Sequence, residues 1–181
     1  MILRTLALFA LLASTSAHAA EYTMRAGTLT FSGQQQGETF EGRFDTFTPT
    51  IRFDASTLAT SQLDVGIDLA SADTQNSERD DTLKGSDFFA IADFPKARFV
   101  TTAMRAIDAT HFEADATLTI RDKSVALKFP FTFEANADGA RLKATVTLDR
   151  LAFDLGTGDW ADESMIGRQV EVNVDLSLVK Q

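Results

Sequence analysis

Polar and apolar residues alternate through most of this chain, and this period of two restricts the fold more than any other feature. From Leu63 to Leu69 every second residue is apolar, and the residues between them are Asp, Gly and Asp. The same alternation runs through residues 125–133, 142–148 and 170–178. A period of two is typical of a β-strand with one buried face, so the chain is predicted to be all-β.

Short polar turns join these segments, which favours a series of antiparallel hairpins. Asn136–Gly139 has the composition of a hairpin turn. Pro130 lacks a backbone N–H, so its strand is expected to have an edge or a bulge at that point. A closed barrel hides strand edges, and the sequence therefore predicts an up-and-down antiparallel β-barrel of about eight strands. A sandwich of two sheets stays open as the alternative.

One internal segment breaks the alternation. Residues 74–84 are polar and rich in helix-forming residues, which predicts one short surface helix capped by Thr74 or Asn76. The loop that follows carries Phe88 and Phe89. We expect this aromatic loop to lie near one end of the barrel, where the strands leave the interior uncovered.

The N-terminal residues have the pattern of a secretory signal peptide. Arg4 precedes an apolar run over residues 6–12, and residues 17–19 read Ala-His-Ala, a small-x-small cleavage pattern. The apolar run is too short to span a bilayer, although an uncleaved anchor stays open. We therefore expect a signal peptide over residues 1–19, one β-barrel domain over residues 20–181, and a periplasmic location.

The charge balance argues against several classes of partner. The chain has 26 acidic and 17 basic residues, a net charge of −9, and loss of Arg4 with the signal peptide makes it more acidic. Binding to nucleic acid or to an anionic membrane surface depends on Lys and Arg, so we expect neither, and no stable membrane insertion. The chain has no Cys, so the exported fold is expected to be stable without disulfides.

The predicted inward face is apolar and rich in Phe. The chain has 15 Phe against one Tyr and one Trp, and the Phe ring offers no hydrogen bond to a polar ligand. Barrels of about eight strands either fill their interior with side chains or hold one small ligand. A ligand in this interior is therefore expected to be a hydrocarbon, and an interior filled by Phe stays open as the alternative.

Catalytic and metal sites have little support. His111 lies at a strand start beside a turn, and no Gly-x-Ser-x-Gly motif is present. The acidic pairs Asp80–Asp81 and Asp162–Glu163 are typical of a solvated surface. Residues 154–163 offer oxygen ligands in a glycine-containing loop but lack the calcium-loop spacing. We expect no enzyme activity, no metal and no cofactor.

Two arginines have two interpretations each. Arg79 and Arg150 lie among acidic residues beside predicted loops. We favour surface ion pairs, because exposed Arg–acid neighbours are common and contribute little to stability. The alternative is a polar rim that contacts the head group of a lipid whose tail lies inside the barrel.

Several segments resemble the YceI-like polyisoprenoid-binding proteins. They are Ser77–Phe89, Phe94–Phe99, Ala116–Arg121 and Arg150–Gly156. Residues 121–126 depart from the family, which often has Arg-Gly and a Pro in this turn. The resemblance covers essentially the whole chain after the signal peptide. It implies a lipocalin-like barrel that holds a long isoprenoid, such as a polyprenyl phosphate or a quinone-like lipid, in a periplasmic binding protein that is not an enzyme.

The predicted function is that of a carrier or store for one isoprenoid lipid. The alternative is a periplasmic interaction or stress protein with a filled barrel and no lipid. The predicted ligand-binding residues face inward or lie near the mouth: Phe31, Phe44, Phe53, Ile67, Phe88, Phe89, Leu118, Phe129, Phe131 and Phe133. Trp160 with Asp162 resembles a subgroup whose relatives occur with an inner-membrane b-type cytochrome, which implies such a neighbour. A homodimer stays open.

Overall fold

The computed structural model describes residues 19–181, so the predicted signal peptide, apart from Ala19, lies outside the described residues. Residues 19–181 form ten strands and one α-helix. The strands are β1 (Ala20–Gln35), β2 (Glu38–Phe44), β3 (Phe47–Phe53), β4 (Gln62–Asp68), β5 (Ala72–Asp73), β6 (Lys96–Ala106), β7 (His111–Ile120), β8 (Lys123–Ala135), β9 (Gly139–Asp149) and β10 (Gln169–Lys180), and the helix is α1 (Ser77–Lys84). No helix within residues 19–181 is long and apolar enough to cross a bilayer.

Eight of the strands form a closed antiparallel ring. Neighbours are hydrogen-bonded in the order β1-β10-β9-β8-β7-β6-β4-β3, and β3 returns to β1 through pairs between residues 51–53 and 20–22. β2 pairs with the later half of β1, and β5 pairs with the end of β2. The prediction of an antiparallel barrel of about eight strands is confirmed, and the two-sheet sandwich is excluded.

The alternation of side chains decides which residues form the interior. Along β7 the buried residues are every second one: Phe112, Ala114, Ala116, Leu118 and Ile120. In β6 a bulge between Thr101 and Ala103 reverses the side to which later residues point. Phe99 and Thr101 are buried before the bulge, and Met104 packs against the core after it. The sequence does not assign a single inward set to β6 for this reason.

Aromatic side chains fill the barrel at the end where β3 and β8 finish, which we call the packed end. Phe53 stacks on Phe133 with ring centres 4.1 Å apart, and it meets Phe112 edge-on at 4.9 Å. Tyr22 meets Phe133 edge-on at 5.2 Å. Phe131 stacks on Phe112 with ring centres 5.6 Å apart. Aromatic pairs in these geometries add to the stabilisation from burial alone, so this end forms a solid core.

The helix lies at the opposite end of the barrel. α1 begins after Asn76, whose side chain accepts a hydrogen bond from the Arg79 backbone N–H at 3.0 Å. The acidic residues Glu78 and Asp80 lie in the first turn and Lys84 lies in the last, an arrangement that suits the helix dipole. One of the two caps predicted from the sequence, Asn76, is therefore confirmed.

Two loops close this second end, which we call the covered end. The aromatic loop (residues 85–95) follows α1 and buries Phe88 and Phe89, which are 4% and 7% exposed. The long loop (residues 150–168) follows β9 and contains two short 3-10 turns. An aromatic loop near one end of the barrel is therefore confirmed.

Gly42 in β2 allows the close approach of Phe31, and we expect Gly42→Ala to destabilise the barrel by about 1–3 kcal/mol. A Cβ atom at position 42 would lie 2.4 Å from Phe31 Cζ. Gly66 in β4 is the matched control, because a Cβ there meets no atom within 4 Å. Urea unfolding of both variants is the measurement, and equal stabilities for Gly42→Ala and Gly66→Ala would contradict the close-approach explanation.

Candidate ligand-binding site

A cavity occupies the half of the barrel next to the covered end. The solvent-accessible volume of the cavity is ≈ 190 Å³. On the same measure, one water molecule needs roughly 10–15 Å³. The lining side chains within the described chain are all apolar except that of Arg150. Ordered water needs polar partners, so this lining suits a hydrocarbon and does not suit a chain of waters.

The structure divides the predicted ligand-binding residues into two groups. The residues that line the cavity are Phe31, Phe44, Ile67, Phe88, Phe89, Leu118 and Phe129. Phe53, Phe131 and Phe133 instead pack on one another in the packed end. All three face inward as predicted. Alternation along a strand shows which side chains face inward, but it does not give their position along the barrel axis.

The aromatic loop is held by a backbone hydrogen bond to α1 and by ring contacts with the barrel and the long loop. The Phe89 backbone N–H donates to Leu83 O at 2.9 Å, and Ala90 adopts a φ of 49°, a left-handed conformation that is unfavourable for a residue with a Cβ. The Phe89 ring lies 6.0 Å from that of Phe44, and the Phe88 ring lies 5.8 Å from that of Trp160. Both aromatic side chains therefore contact the barrel or the long loop as well as the cavity.

The long loop contributes lining residues that the sequence interpretation missed. Phe153, Leu155 and Ile166 all line the cavity, and Phe153 is 1% exposed. Asp154 between the first two has a φ of 55°, which turns the chain sharply at this point. A usable signal is the apolar content of residues 151–155, which is unusual for a loop that is fully exposed.

Arg150 is the polar residue in the cavity wall, and it is 4% exposed. Its guanidinium donates hydrogen bonds to five backbone carbonyls of the long loop, those of Leu155, Gly156, Trp160, Ile166 and Gly167. Burial lowers the pKa of Arg150 below its usual value, while Asp149 and Glu163 act in the opposite direction. The group remains charged, and carbonyl dipoles surround it.

The favoured interpretation of Arg150 and Arg79 as surface ion pairs is wrong. Arg150 is buried, and its donors are occupied by carbonyls, which also leaves no free N–H for a lipid head group. The Arg79 guanidinium lies 4.5 Å above the centre of the Phe40 ring, and its Nε donates to Gln35 Oε1 at 3.0 Å. The partners of these arginines are backbone carbonyls and an aromatic ring, which no sequence motif marks. Acidic neighbours in the sequence therefore do not predict the contacts of Arg150 and Arg79.

Two acidic residues of the long loop bind a cation or a backbone N–H group. Asp154 Oδ2 lies 2.9 Å from Lys123 Nζ, and Asp162 Oδ1 accepts a hydrogen bond from Ser164 N–H at 2.9 Å. Within residues 19–181, no three His, Asp or Glu side chains are grouped as they would be around a metal ion. Two of the four carboxylates of residues 154–163 thus have partners of their own.

His111 is the first residue of β7, at the packed end, and pairs with Asp108 in the turn between β6 and β7. Hydrogen bonds from Thr110 N–H, the His111 ring and His111 N–H lower the pKa of Asp108 to about 2. The His111 Nδ1 atom is 2.9 Å from Asp108 Oδ1, and both side chains are more than half exposed. The pair therefore lies in solvent at the end of the barrel away from the cavity.

We expect the Asp108 carboxyl to titrate at about pH 2 in the folded protein, against about 3.9 in an unfolded chain. The folded pKa is the lower one, so these hydrogen bonds favour the fold above pH ~3.9 and are lost as the pH falls through the folded pKa. NMR titration of the side-chain carboxyl measures this directly. A pKa near 3.9 in the folded protein, or no rise in the pKa with His111→Ala, would contradict the predicted contacts.

A family model described as the YceI-like domain matches residues 18–178. The chain belongs to the YceI-like family. A UPF0312 protein of Shewanella denitrificans is 34% identical over 99 residues, and the alignment spans about half the length of each chain, 52%. A UPF0312 protein of Pseudomonas savastanoi is 31% identical over 69% of both chains, and Protein YceI of Escherichia coli is 32% identical over 54% of this chain and 49% of that one.

Solved structures share the YceI-like barrel. The crystal structure of BcnA from Burkholderia cenocepacia superposes with a TM-score of 0.80 at 26% identity, covering 83% of this chain and 95% of that one. A polyisoprenoid binding domain from Saccharophagus degradans, implicated in plant cell wall breakdown, superposes with a TM-score of 0.70 at 18% identity, covering 91% and 100%. At that identity the second similarity shows the fold alone.

Proposed function

We propose that this YceI-like protein binds one long isoprenoid lipid in the barrel cavity and acts as its carrier or store. The observation that carries the proposal is the cavity itself, which is apolar apart from the fully hydrogen-bonded Arg150. Each ~100 Å² of hydrocarbon surface removed from water contributes about 2.5 kcal/mol. A tail alone therefore supplies enough free energy for tight binding without a head-group contact.

Support for an isoprenoid tail comes from the lining and from the fold. The Saccharophagus degradans domain with the same barrel is described as polyisoprenoid-binding. Phe, Leu, Ile and Val side chains from opposite walls line the cavity and suit a branched hydrocarbon. A polyprenyl phosphate and a quinone-like lipid both carry such a tail, and we propose a lipid of this class as the ligand and no chemical conversion of it.

We also propose that the protein is exported and that the mature chain begins at Ala20. The signal-peptide pattern supports this, because residues 1–19 contain the apolar run and the cleavage site. N-terminal sequencing of the protein from the periplasm of its own host is the test. Protein that retains Met1, or that is recovered only from the cytoplasm, would contradict export.

The alternative, a filled barrel that acts through its acidic surface, fits only one part of the molecule. Stacked Phe rings fill the packed end, whereas the half near the covered end contains the cavity. The b-type cytochrome neighbour implied by the resemblance stays a prediction, and so does the absence of enzyme activity.

Trp160 provides a direct test of lipid binding. It is the only Trp in the chain, and its ring lies 5.8 Å from that of Phe88 in the cavity wall. We expect titration of lipid-free, refolded protein with decaprenyl phosphate to change the Trp160 emission with a saturable, one-site curve. Menaquinone is expected to give a similar curve, because the tail supplies most of the binding free energy.

Isopentenyl phosphate is the matched control, because it has a phosphate head group but only one isoprene unit. We expect it to bind at least ~1000-fold more weakly than decaprenyl phosphate, since it buries far less apolar surface. Equal affinities would show that the head group dominates and would overturn the proposed tail-binding cavity. No response to any isoprenoid lipid would overturn the proposed function.

A further inference from the structure

The wall of the barrel is incomplete between two neighbouring strands. β8 and β9 are paired only through residues 131–135 and 140–144. Both strands extend past the last pair, Phe131 with Ala144, toward the covered end. There, among the described residues, β8 is hydrogen-bonded only to β7, and β9 only to β10. Within the described chain, residues 123–130 and 145–149 therefore have no ladder partner on the sides that face each other. We call this gap the β8–β9 window.

Pro130 marks the point at which the window begins. Proline has no backbone N–H and cannot donate to a strand ladder, and the β8–β9 ladder starts at the next residue, Phe131. The edge predicted at Pro130 is thereby confirmed. The ladder between β3 and β1 is also short, and β1 takes β2 as its partner only from Thr30 onward. Leu29, the cavity-lining residue of β1 beside this second gap, is only 6% exposed.

The window leads to the cavity. Leu127, Val146 and Leu148 line the cavity beside the gap and are half-buried, whereas Phe129, which also lines the cavity there, is 5% exposed. The gap is therefore bordered by cavity-lining side chains, three of which are partly accessible to solvent.

Four of the outward residues of the window are small and neutral. Ser124 and Ala126 on β8 and Thr145 and Thr147 on β9 are all exposed. Unpaired strand edges are usually protected by charged residues, and these positions lack that protection. The charged outward residues of the gap, Lys128 and Asp149, are paired with Asp115 and Arg168, which lie on the neighbouring sides of their strands.

The covered end offers a more costly route. Its opening separates the aromatic loop from the long loop, which breaks the bonds from Gly156 N–H to Asp87 O at 2.7 Å and from Trp160 Nε1 to Asp87 Oδ2 at 3.1 Å. Arg121 Nη1 also donates to Phe88 O at 3.2 Å. The window has no ladder bonds to break within the described residues.

We propose that a hydrocarbon ligand enters and leaves the cavity sideways through the β8–β9 window, and not through the covered end. This inference rests on the proposed lipid-binding function. On this route the gap selects ligands by their shape. A flexible hydrocarbon tail can pass between the two strands, whereas a wide rigid ring system cannot pass until the strands separate. The lipid head group then remains at the outer edge of the window.

A cross-link over the window tests this route. Thr132 and Lys143 are directly opposite in the β8–β9 ladder, and continuing that register places Lys128 opposite Thr147. The chain has no Cys, so Lys128→Cys with Thr147→Cys contains only the two introduced thiols. Oxidation, or a short bifunctional thiol reagent where the gap is wider than a disulfide, closes the window. Thr132→Cys with Lys143→Cys is the matched control in the paired part.

The measurement is stopped-flow binding and release of cis-parinaric acid, a fluorescent polyene chain. We expect the window cross-link to slow both rates at least ~10-fold with little change in Kd, because it affects passage and not the bound state. After reduction of the disulfide, the protein should show the original rates. Where the bifunctional reagent is used, the variant without reagent serves as this control. The cross-link between positions 132 and 143 should leave both rates unchanged.

Two outcomes overturn the proposal. Equal rates with the window open and closed would exclude this route, and faster exchange in Trp160→Phe alone, which loses the bond to Asp87, would then place the route at the covered end. If unmodified protein binds neither cis-parinaric acid nor any isoprenoid, the proposed function fails and the window proposal fails with it. Binding without an effect of the cross-link overturns the window alone.

Discussion

Replacement of Arg150 by Ala is expected to destabilise the protein by about 3 kcal/mol or more, the largest stability effect of any substitution considered for this chain. The guanidinium is 4% exposed and donates to five carbonyls of the long loop. Its loss leaves these carbonyls without donors beside an apolar cavity. Urea unfolding measures the stability, and hydrogen exchange should show that residues 155–167 lose protection first.

Arg150→Lys and Arg168→Ala make this prediction specific. Lys keeps the charge but has three donors on one nitrogen, so we expect Arg150→Lys to recover only a minor part of the loss. Arg168 is exposed and pairs with Asp149 through Nη2 at 2.6 Å, so its replacement should cost less than about 1 kcal/mol. A full recovery by Lys, or equal losses at positions 150 and 168, would contradict the role assigned to the Arg150 hydrogen bonds.

Replacement of Val172 by Trp is expected to weaken binding of an isoprenoid lipid by ~10-fold to ~100-fold. Val172 lies on β10, is half-buried and lines the cavity, so the larger indole has free volume to enter and occupies space that the lipid tail needs. The affinity is measured by displacement of cis-parinaric acid with decaprenyl phosphate, because the second Trp complicates emission measurements.

Glu171→Trp is the matched control on the same strand. Glu171 precedes Val172 and is exposed on the outer face, so an indole there adds the same volume outside the barrel. We expect its lipid affinity to stay within about threefold of the original. Unchanged binding in Val172→Trp with normal stability would show that the lipid does not use this part of the cavity. A similar loss in both variants would indicate an effect of the added ring that is unrelated to cavity volume.

The barrel was predictable because strand alternation is a local property. One inward face must be buried along each strand, so residues 142–148 and 170–178 give their orientation without knowledge of their neighbours. β6 is an exception, because the bulge at Thr101 and Ala103 shifts the alternation by one residue. Nothing in the sequence around Thr101 marks that bulge.

The cavity was only partly predictable because its position depends on how the strands are staggered in the ring. Phe129 lines the cavity and Phe131 belongs to the packed end, although both point inward on β8. The staggering follows from the complete set of pairings around the barrel, which a single sequence does not give. The hydrogen bonds of Arg150 were missed for a related reason, because their acceptors are backbone carbonyls that any residue provides.

Native mass spectrometry of the protein purified from the periplasm of its own host tests the central claim most directly. We predict a mature chain that carries one noncovalent adduct, and organic extraction should release a lipid with an isoprenoid tail from that adduct. The Val172→Trp protein, expressed in the same host, should carry much less of it than Glu171→Trp. A mature protein that is reproducibly free of any adduct, with no isoprenoid in the extract, would contradict the account of the cavity as a lipid-binding site.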